Sequence, residues 1–161
     1  MNHAYIITGG NIGNPADQLA TATGLLEERC GRVIDRSSLY QTAPWGKPDQ
    51  ENFLNQVLVL ETVLSAREVL TEIKIIETQM GRERKEKNGP RVIDVDILFF
   101  NHQVINEAGL TVPHPQMALR RFVLEPLNQV APAYIHPVLY KTITQLLDEC
   151  PDEGKVKKIE S

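Results

Sequence analysis

The sequence is poor in several things, and each lack narrows the field. It has only two cysteines, Cys30 and Cys150, with no metal-ligand spacing. That argues against a disulfide framework and makes a reduced, cytoplasmic setting the expectation. Aromatic residues are 6% of the chain, and none are paired on the segments read below as central strands, which counts against an RNA-stacking module. Cations are outnumbered: 17 Lys and Arg stand against 21 Asp and Glu, for a net charge of -4 and a pI near 5.6. Broad nucleic-acid binding needs a basic face, so no nucleic-acid partner is expected. No apolar stretch approaches the ~20 residues that span a bilayer, and no basic segment leads into a signal-length apolar run, so no membrane partner is expected either. Repeats and low-complexity tracts are missing. Only the tail, Asp152 to Ser161, looks loosely ordered. What remains is 161 residues, 42% apolar and 24% charged, which suits a single domain, 1–161, with a proper core.

The most informative stretch is Gly89-Pro-Arg-Val-Ile-Asp-Val-Asp-Ile-Leu-Phe-Phe100. Val92 to Phe100 is dense in β-branched and apolar residues and is read as a strand. Alternation puts Asp94 and Asp96 on one face, and Ile93, Val95 and Ile97 on the other. Two carboxylates beside a strand fit for burial need a cation, and two carboxylates plus phosphate oxygens are how Mg²⁺ is usually held. Just upstream lie five basic side chains: Arg82, Arg84, Lys85, Lys87 and Arg91. Either feature alone has a plain explanation, a solvated edge or an exposed loop. Together they point to a site for a polyphosphate nucleotide.

The rest of the chain supplies the frame. Tyr5 to Thr8 reads as a strand that ends in Gly9-Gly10, and the segment from Gly9 to Gly13 as a tight turn. Asn14 is an N-cap with Pro15 at the first helical position, and Leu19, Ala22, Leu25 and Leu26 line a stripe that ends before Gly31. Arg32 to Thr42 reads as a strand, 43–50 as a Pro- and Gly-rich loop, and Phe53 to Val63 as a second long strand. Ser65-Ala-Arg-Glu68 is a capping box for a helix through Val69, Leu70, Ile73, Ile76 and Met80, with Gly81 just past its end. After the Asp94 strand, Gln103 to Ile105 suits a short edge strand and Met117 to Val130 a helical stretch. The order β-α-β-β-α-β plus a C-terminal extension predicts an α+β, ferredoxin-like antiparallel sheet with helices on one face. Gly9 to Gly13 does not fit the dinucleotide pattern G-x-G-x-x-G. Fold alone does not give function.

The motifs carry a resemblance. Gly81-Arg82-x-Arg84, then Gly89-Pro90-Arg91-x-Ile93-Asp94-x-Asp96-Ile97, resembles the signature of the 6-hydroxymethyl-7,8-dihydropterin pyrophosphokinase family. Gly9-Gly10-Asn11 resembles the family's Gly-Ser-Asn. Tyr40-x-Thr42-x-Pro44-Trp45-Gly46, with Asp49-Gln50 and Phe53-Leu54-Asn55, resembles its pterin loop. Leu110 to Pro115, then Met117 and Arg120-x-Phe122-Val123-Leu124-x-Pro126-Leu127, resembles its C-terminal nucleotide segment. The likeness runs from about Ala4 to Pro132.

The resemblance implies a monomeric enzyme of folate biosynthesis that moves diphosphate from ATP to hydroxymethyldihydropterin. It makes Asp94 and Asp96 the ligands of two Mg²⁺ ions. Arg82, Arg84, Arg91 and Arg120 become phosphate ligands, with Arg91 static and Arg82 and Arg84 on a mobile loop. Arg suits that role because its planar fork holds phosphate oxygens in pairs. Lys74, Glu77, Ile97, Thr111 and His114 become nucleotide-side residues, with Glu77 orienting the arginines. Phe53 and Phe122 become the two stacking faces for the pterin and Asn55 its hydrogen-bonding edge. Thr42, Ala43, Pro44 and Trp45 line the pterin loop. Lys87 and Asn88 depart from the usual Arg and Trp. Two other function classes stay in view: a nucleotide sensor without turnover, which would need a broken carboxylate pair or missing arginines, and an RNA-binding module.

Overall fold

The computed structural model describes residues 1–42, 53–81 and 92–159. At its centre is β1 (Asn2–Gly10), antiparallel to β4 (Phe53–Thr62) on one side and to β5 (Asp94–Phe100) on the other. β2 (Gly31–Arg36) and β3 (Leu39–Thr42) lie end to end along the far side of β4. The ferredoxin-like order is therefore present, with β5 as an edge strand.

β1 runs on through Gly9-Gly10, and the turn of the Gly9-to-Gly13 segment falls at its end, where Gly13 has φ +67°. The expected strand 32–42 is split at Ser37. There the Ser37 amide donates to the Val57 carbonyl at 2.8 Å, and its Oγ accepts from the Val57 amide at 2.9 Å. The side chain thus stands in for a ladder partner while the chain bends.

Helices α1 (Pro15–Arg29) and α2 (Ala66–Gln79) start as the sequence predicts. Asn14 Oδ1 accepts from the Asp17 amide, and Ser65 and Glu68 form the reciprocal capping box. Gly81, at φ +79°, follows the C-cap of α2 in the left-handed region that glycine tolerates. Both helices bury their stripes on one face of the sheet, where Leu19, Leu26, Val69, Ile73 and Ile76 pack on Ala4, Ile6, Leu58, Leu60, Val95 and Ile97.

The segment after β5 departs more from expectation. The edge strand expected at 103–105 is a small separate hairpin, β6 (Ile105–Glu107) and β7 (Leu110–Val112). Met117 to Val130 is a single 3₁₀ turn, Met117–Leu119, followed by α3 (Arg121–Val130). α3 and α4 (Ile143–Asp148) cover part of the second face, packing Val123, Leu124, Leu127, Ile143 and Leu146 on Ile7, Val57, Leu98 and Phe99.

The tail is not loose through 159. β8 (Val156–Ile159) adds to the sheet as an antiparallel partner of β3, from Leu39 against Ile159 to Thr42 against Val156. Its apolar-polar-polar-apolar pattern is too short to announce a strand by itself. The open edge of β3 supplies the missing half of the ladder.

Candidate active site

The register of the sheet assembles the site. Asp94 on β5 lies opposite Gly9, and Gly9 opposite Asn55, which faces Tyr40. One row further, Asp96 lies opposite Ile7 and Ile7 opposite Val57. Directly opposed residues share a face, so Asp94, Asp96, Asn55, Phe53 and its partner Thr42 all project from the second face, the one that α3 and α4 half cover. Two strand spacings separate the backbones of Asp94 and Asn55, about 10 Å. Between them stands a residue with no side chain. A Cβ on Gly9 would lie 2.2 Å from Asn55 Nδ2, so only glycine lets the Asn55 amide lie over this position.

Asn55 is buried and its Nδ2 donates to the Thr8 carbonyl at 3.3 Å. That fixes the orientation of the amide. On the same face Thr42 Oγ1 is buried and has no partner among the described residues. Buried polar atoms are rarely left so, and this one lies on the same face as the Asn55 amide. The two suit a flat ligand rich in donors and acceptors, with Phe53 beside them.

On the other side of Gly9 the carboxylates are more open. Asp94 is half-buried and Asp96 exposed. The β5 edge between them is pinned from α2, where buried Glu77 Oε2 accepts the Val95 amide at 3.0 Å. A carboxylate that accepts the free edge N–H holds the strand in place where its neighbours must point the other way. The reading that Glu77 orients the arginines is therefore joined by a contact the sequence did not show. The side chain of Ile97 lies in the core on the α1/α2 face and cannot touch a ligand on the carboxylate face. By the two-residue period its backbone, like that of Val95, lies along the free edge of β5. Lys74 and Thr111 are exposed, on α2 and β7.

His114 sits against that edge, its amide donating to the Leu98 carbonyl at 3.0 Å. Its Nδ1 accepts the Gln116 amide at 3.2 Å, so in the neutral ring the proton is on Nε2. Burial holds its pKa below the ordinary value. Asp96 pulls it up and Arg120 pushes it further down, which makes these two its charged neighbours. Arg120 is held by Gln116 Oε1, and its guanidinium carbon lies 5.8 Å from the centre of the Phe122 ring. The structure thus brings Asp96, His114, Arg120 and Phe122 into one neighbourhood. Gln116, which braces both His114 and Arg120, was missed from the sequence because a lone glutamine in a loop carries no signal. Phe122 opens onto a cleft of about 750 Å³ lined also by Leu119, Arg120 and residues 151–154. Ala43, Pro44, Trp45, Arg82, Arg84 and Arg91 lie outside the described residues.

The donor set fits a hard cation. Asp94 and Asp96 offer only oxygens, and among the described residues no group of three or more His, Cys, Asp or Glu forms a complete metal cage. Mg²⁺ wants such an arrangement, one or two carboxylates with the remaining positions left to water and phosphate.

A model of the 7,8-dihydro-6-hydroxymethylpterin-pyrophosphokinase (HPPK) family matches residues 5–132, most of the chain. The chain belongs to this family. It is 40% identical over 147 residues to the 2-amino-4-hydroxy-6-hydroxymethyldihydropteridine pyrophosphokinase of Synechocystis, covering 91% of this chain and 75% of that one. The same-named protein of Aquifex aeolicus is 37% identical over 149 residues, with 92% of each covered. The folic acid synthesis protein fol1 of Schizosaccharomyces pombe is 39% identical over 152 residues, 94% of this chain. The chain spans about a fifth of the length of that relative and about a quarter of its Dictyostelium discoideum counterpart (21% and 24%). Wild-type Plasmodium falciparum HPPK-DHPS shares the HPPK fold, with a TM-score of 0.74 at 22% identity over 92% of this chain and 43% of that one. The HPPK match ends before α4, Asp152 and β8.

Proposed function

We propose that this chain transfers the terminal diphosphate of ATP to 6-hydroxymethyl-7,8-dihydropterin in the cytoplasm, as a monomer, for folate biosynthesis. The observation that carries the reading is the row Asp94, Gly9, Asn55. It sets a hard-cation pair and a pterin-like hydrogen-bonding edge on one face, with backbones about 10 Å apart and the Asn55 amide lying over Gly9.

In this reading Asp94 and Asp96 hold two Mg²⁺ ions, which when bound neutralise phosphate charge on the attacking and leaving sides. Phe53 and Phe122 stack on the pterin, and Asn55 Oδ1 and Thr42 Oγ1 meet its polar edge. Thr42, Ala43 and Trp45 supply backbone groups to the pterin, and Pro44 belongs to the same pterin-binding set. Arg120 and the His114 Nε2–H contact ATP, joined by Arg82, Arg84 and Arg91. Lys74 and Thr111 lie on the nucleotide side, and Ile97 meets the nucleotide through its backbone. Glu77 keeps the Asp94–Asp96 backbone fixed. The pterin hydroxymethyl oxygen then attacks the β-phosphorus. The bond from that phosphorus to the α,β-bridging oxygen breaks, AMP leaves and the hydroxyl proton is released. Such a step depends on positioning and charge stabilisation more than on a strong base.

The test is direct. The protein with ATP, Mg²⁺ and the pterin alcohol should yield AMP and pterin diphosphate in equal amounts, and the fluorescence of Trp45 should shift when pterin binds. Release of ADP, or no turnover, would refute the assignment.

A further inference from the structure

The start of α3 lacks the usual local cap. Its N-cap residue is Arg120, whose side chain accepts nothing from the helix. The cap comes instead from 31 residues away. Asp152 Oδ2 accepts the Arg121 amide at 3.1 Å, and the Asp152 carbonyl accepts Arg121 Nε at 2.8 Å. The other carboxylate oxygen, Oδ1, accepts the Gly154 amide at 2.8 Å and turns the chain into β8. β8 then pairs with β3 through Thr42, the last described residue before the pterin loop. One short strap therefore ties together the two elements that bear the proposed pterin contacts: the end of β3, with Thr42, and the start of α3, with Phe122. The same strap, residues 151–154, forms the wall of the cleft opposite Arg120 and Phe122.

We propose that Asp152 is a positioning residue for pterin recognition, acting through the first turn of α3. This rests on the pterin reading of Phe122 given above. The body of α3 is anchored without Asp152, because Val123, Leu124 and Leu127 are buried in the core. What Asp152 adds is a fixed place for the first turn that carries Phe122, while Arg120 is held separately by Gln116. An acceptor at a helix start also opposes fraying of the first turn, where orphan N–H groups collect. The effect should fall on the ring that stacks, and little on the β5 edge that binds the nucleotide side.

The experiment compares wild type, Asp152→Ala and Asp152→Asn as full chains. Pterin and a non-hydrolysable ATP analogue are titrated separately by calorimetry with Mg²⁺, and steady-state kinetics follow. Asp152→Ala should weaken pterin binding roughly two- to thirtyfold, the range spanned by loss of one helix cap. It should raise the pterin KM in step, hold kcat within about twofold and leave analogue affinity unchanged, because no contact to the phosphates is removed. Asp152→Asn keeps one acceptor oxygen and should recover part of the loss. Unchanged pterin affinity in a folded Asp152→Ala overturns the proposal, as does an equal loss for both ligands. Should Asp152→Ala fail to fold, Asp152→Asn decides alone: a smaller, pterin-only loss supports the role, and no loss or a shared loss refutes it. A wild-type chain that binds no pterin at all overturns the functional reading and this one with it. Normal wild-type binding with an unaffected Asp152→Ala overturns this one only.

Discussion

The two faces of the sheet are made from alternate residues of the same strands, and they have opposite characters. Under α1 and α2 the face is continuous: Ala4, Ile6, Leu58, Leu60, Val95 and Ile97 are all buried. The other face is divided. Its lower part packs Ile7, Val57, Leu98 and Phe99 beneath α3 and α4, while its upper part carries Asp94, Asp96, Asn55 and Thr42. The apolar face holds the strands in place by burial alone. The strands can therefore carry carboxylates close together and the unpartnered Thr42 Oγ1 on the reverse side, which would destabilise a weaker frame. Structure and chemistry have been separated across the thickness of one sheet.

The largest effect expected from breaking that division is on turnover. Asp96→Ala should lower the single-turnover rate by at least about 10²–10³-fold, the scale of losing one preorganised electrostatic contact. Its melting temperature should not fall, since removing one of two like charges relieves repulsion in the free protein. Near-normal activity in Mg²⁺ would mean that the carboxylates belong to the frame after all. The converse substitution is Ile73→Ala, on the other side of the sheet. It should cost about 2–5 kcal/mol in chemical denaturation, as buried large-to-small changes do. Ligand affinities of the folded fraction should be untouched. A specific loss of ATP or pterin binding there would show that the faces are not independent.

Phe122 sits on the boundary, at the first turn of a helix whose next residues are core. Phe122→Ala should weaken pterin binding by about 0.5–1.5 kcal/mol beyond the lost area and spare ATP. Calorimetry showing equal losses for both ligands would place Phe122 with the frame.

The smallest effect concerns the frame of the second face in acid. His136 is buried against the edge of Phe99, and its Nδ1 accepts the amides of Val138 and Leu139. Burial lowers its pKa below the ordinary value of 6.5. The unfolded chain then takes up a proton first as pH drops through 6.5, so stability is full above that pH and declines below it until the folded form protonates too. His114, shifted down by burial, adds in the same direction. Thermal melts should therefore fall between pH 6.5 and pH 5, and His136→Asn, which keeps an acceptor, should remove only the His136 part of that slope. A slope identical to wild type would show that the His136 ring does not report on this packing.

Much of this molecule was legible in its sequence because the signals are local. Alternation along Val92 to Phe100 put Asp94 and Asp96 together, and Asn14 and Ser65 announced their helices through bonds three residues long. The motifs from Gly81 to Phe122 named the family before any strand was placed. The misreadings came where a distant segment supplies the partner. Gly9-Gly10 looked like the end of the strand, yet pairing with β4 and β5 carries β1 through it. The strand from Arg32 to Thr42 breaks because Ser37 can bond Val57, twenty residues on.

By itself, then, the sequence determined the order of elements, the shared face of the two carboxylates and the chemistry they can support. The tertiary structure alone decided that Gly9 lies between Asp94 and Asn55, and that Glu77 holds the Val95 amide. It also decided that Asp152 caps a helix far from it in the chain while β8 closes on β3. Periodicity sets which way a side chain points within its own segment. Which segment lies beside it is set by sheet order and long-range hydrogen bonds, and those exist only once the chain has closed on itself.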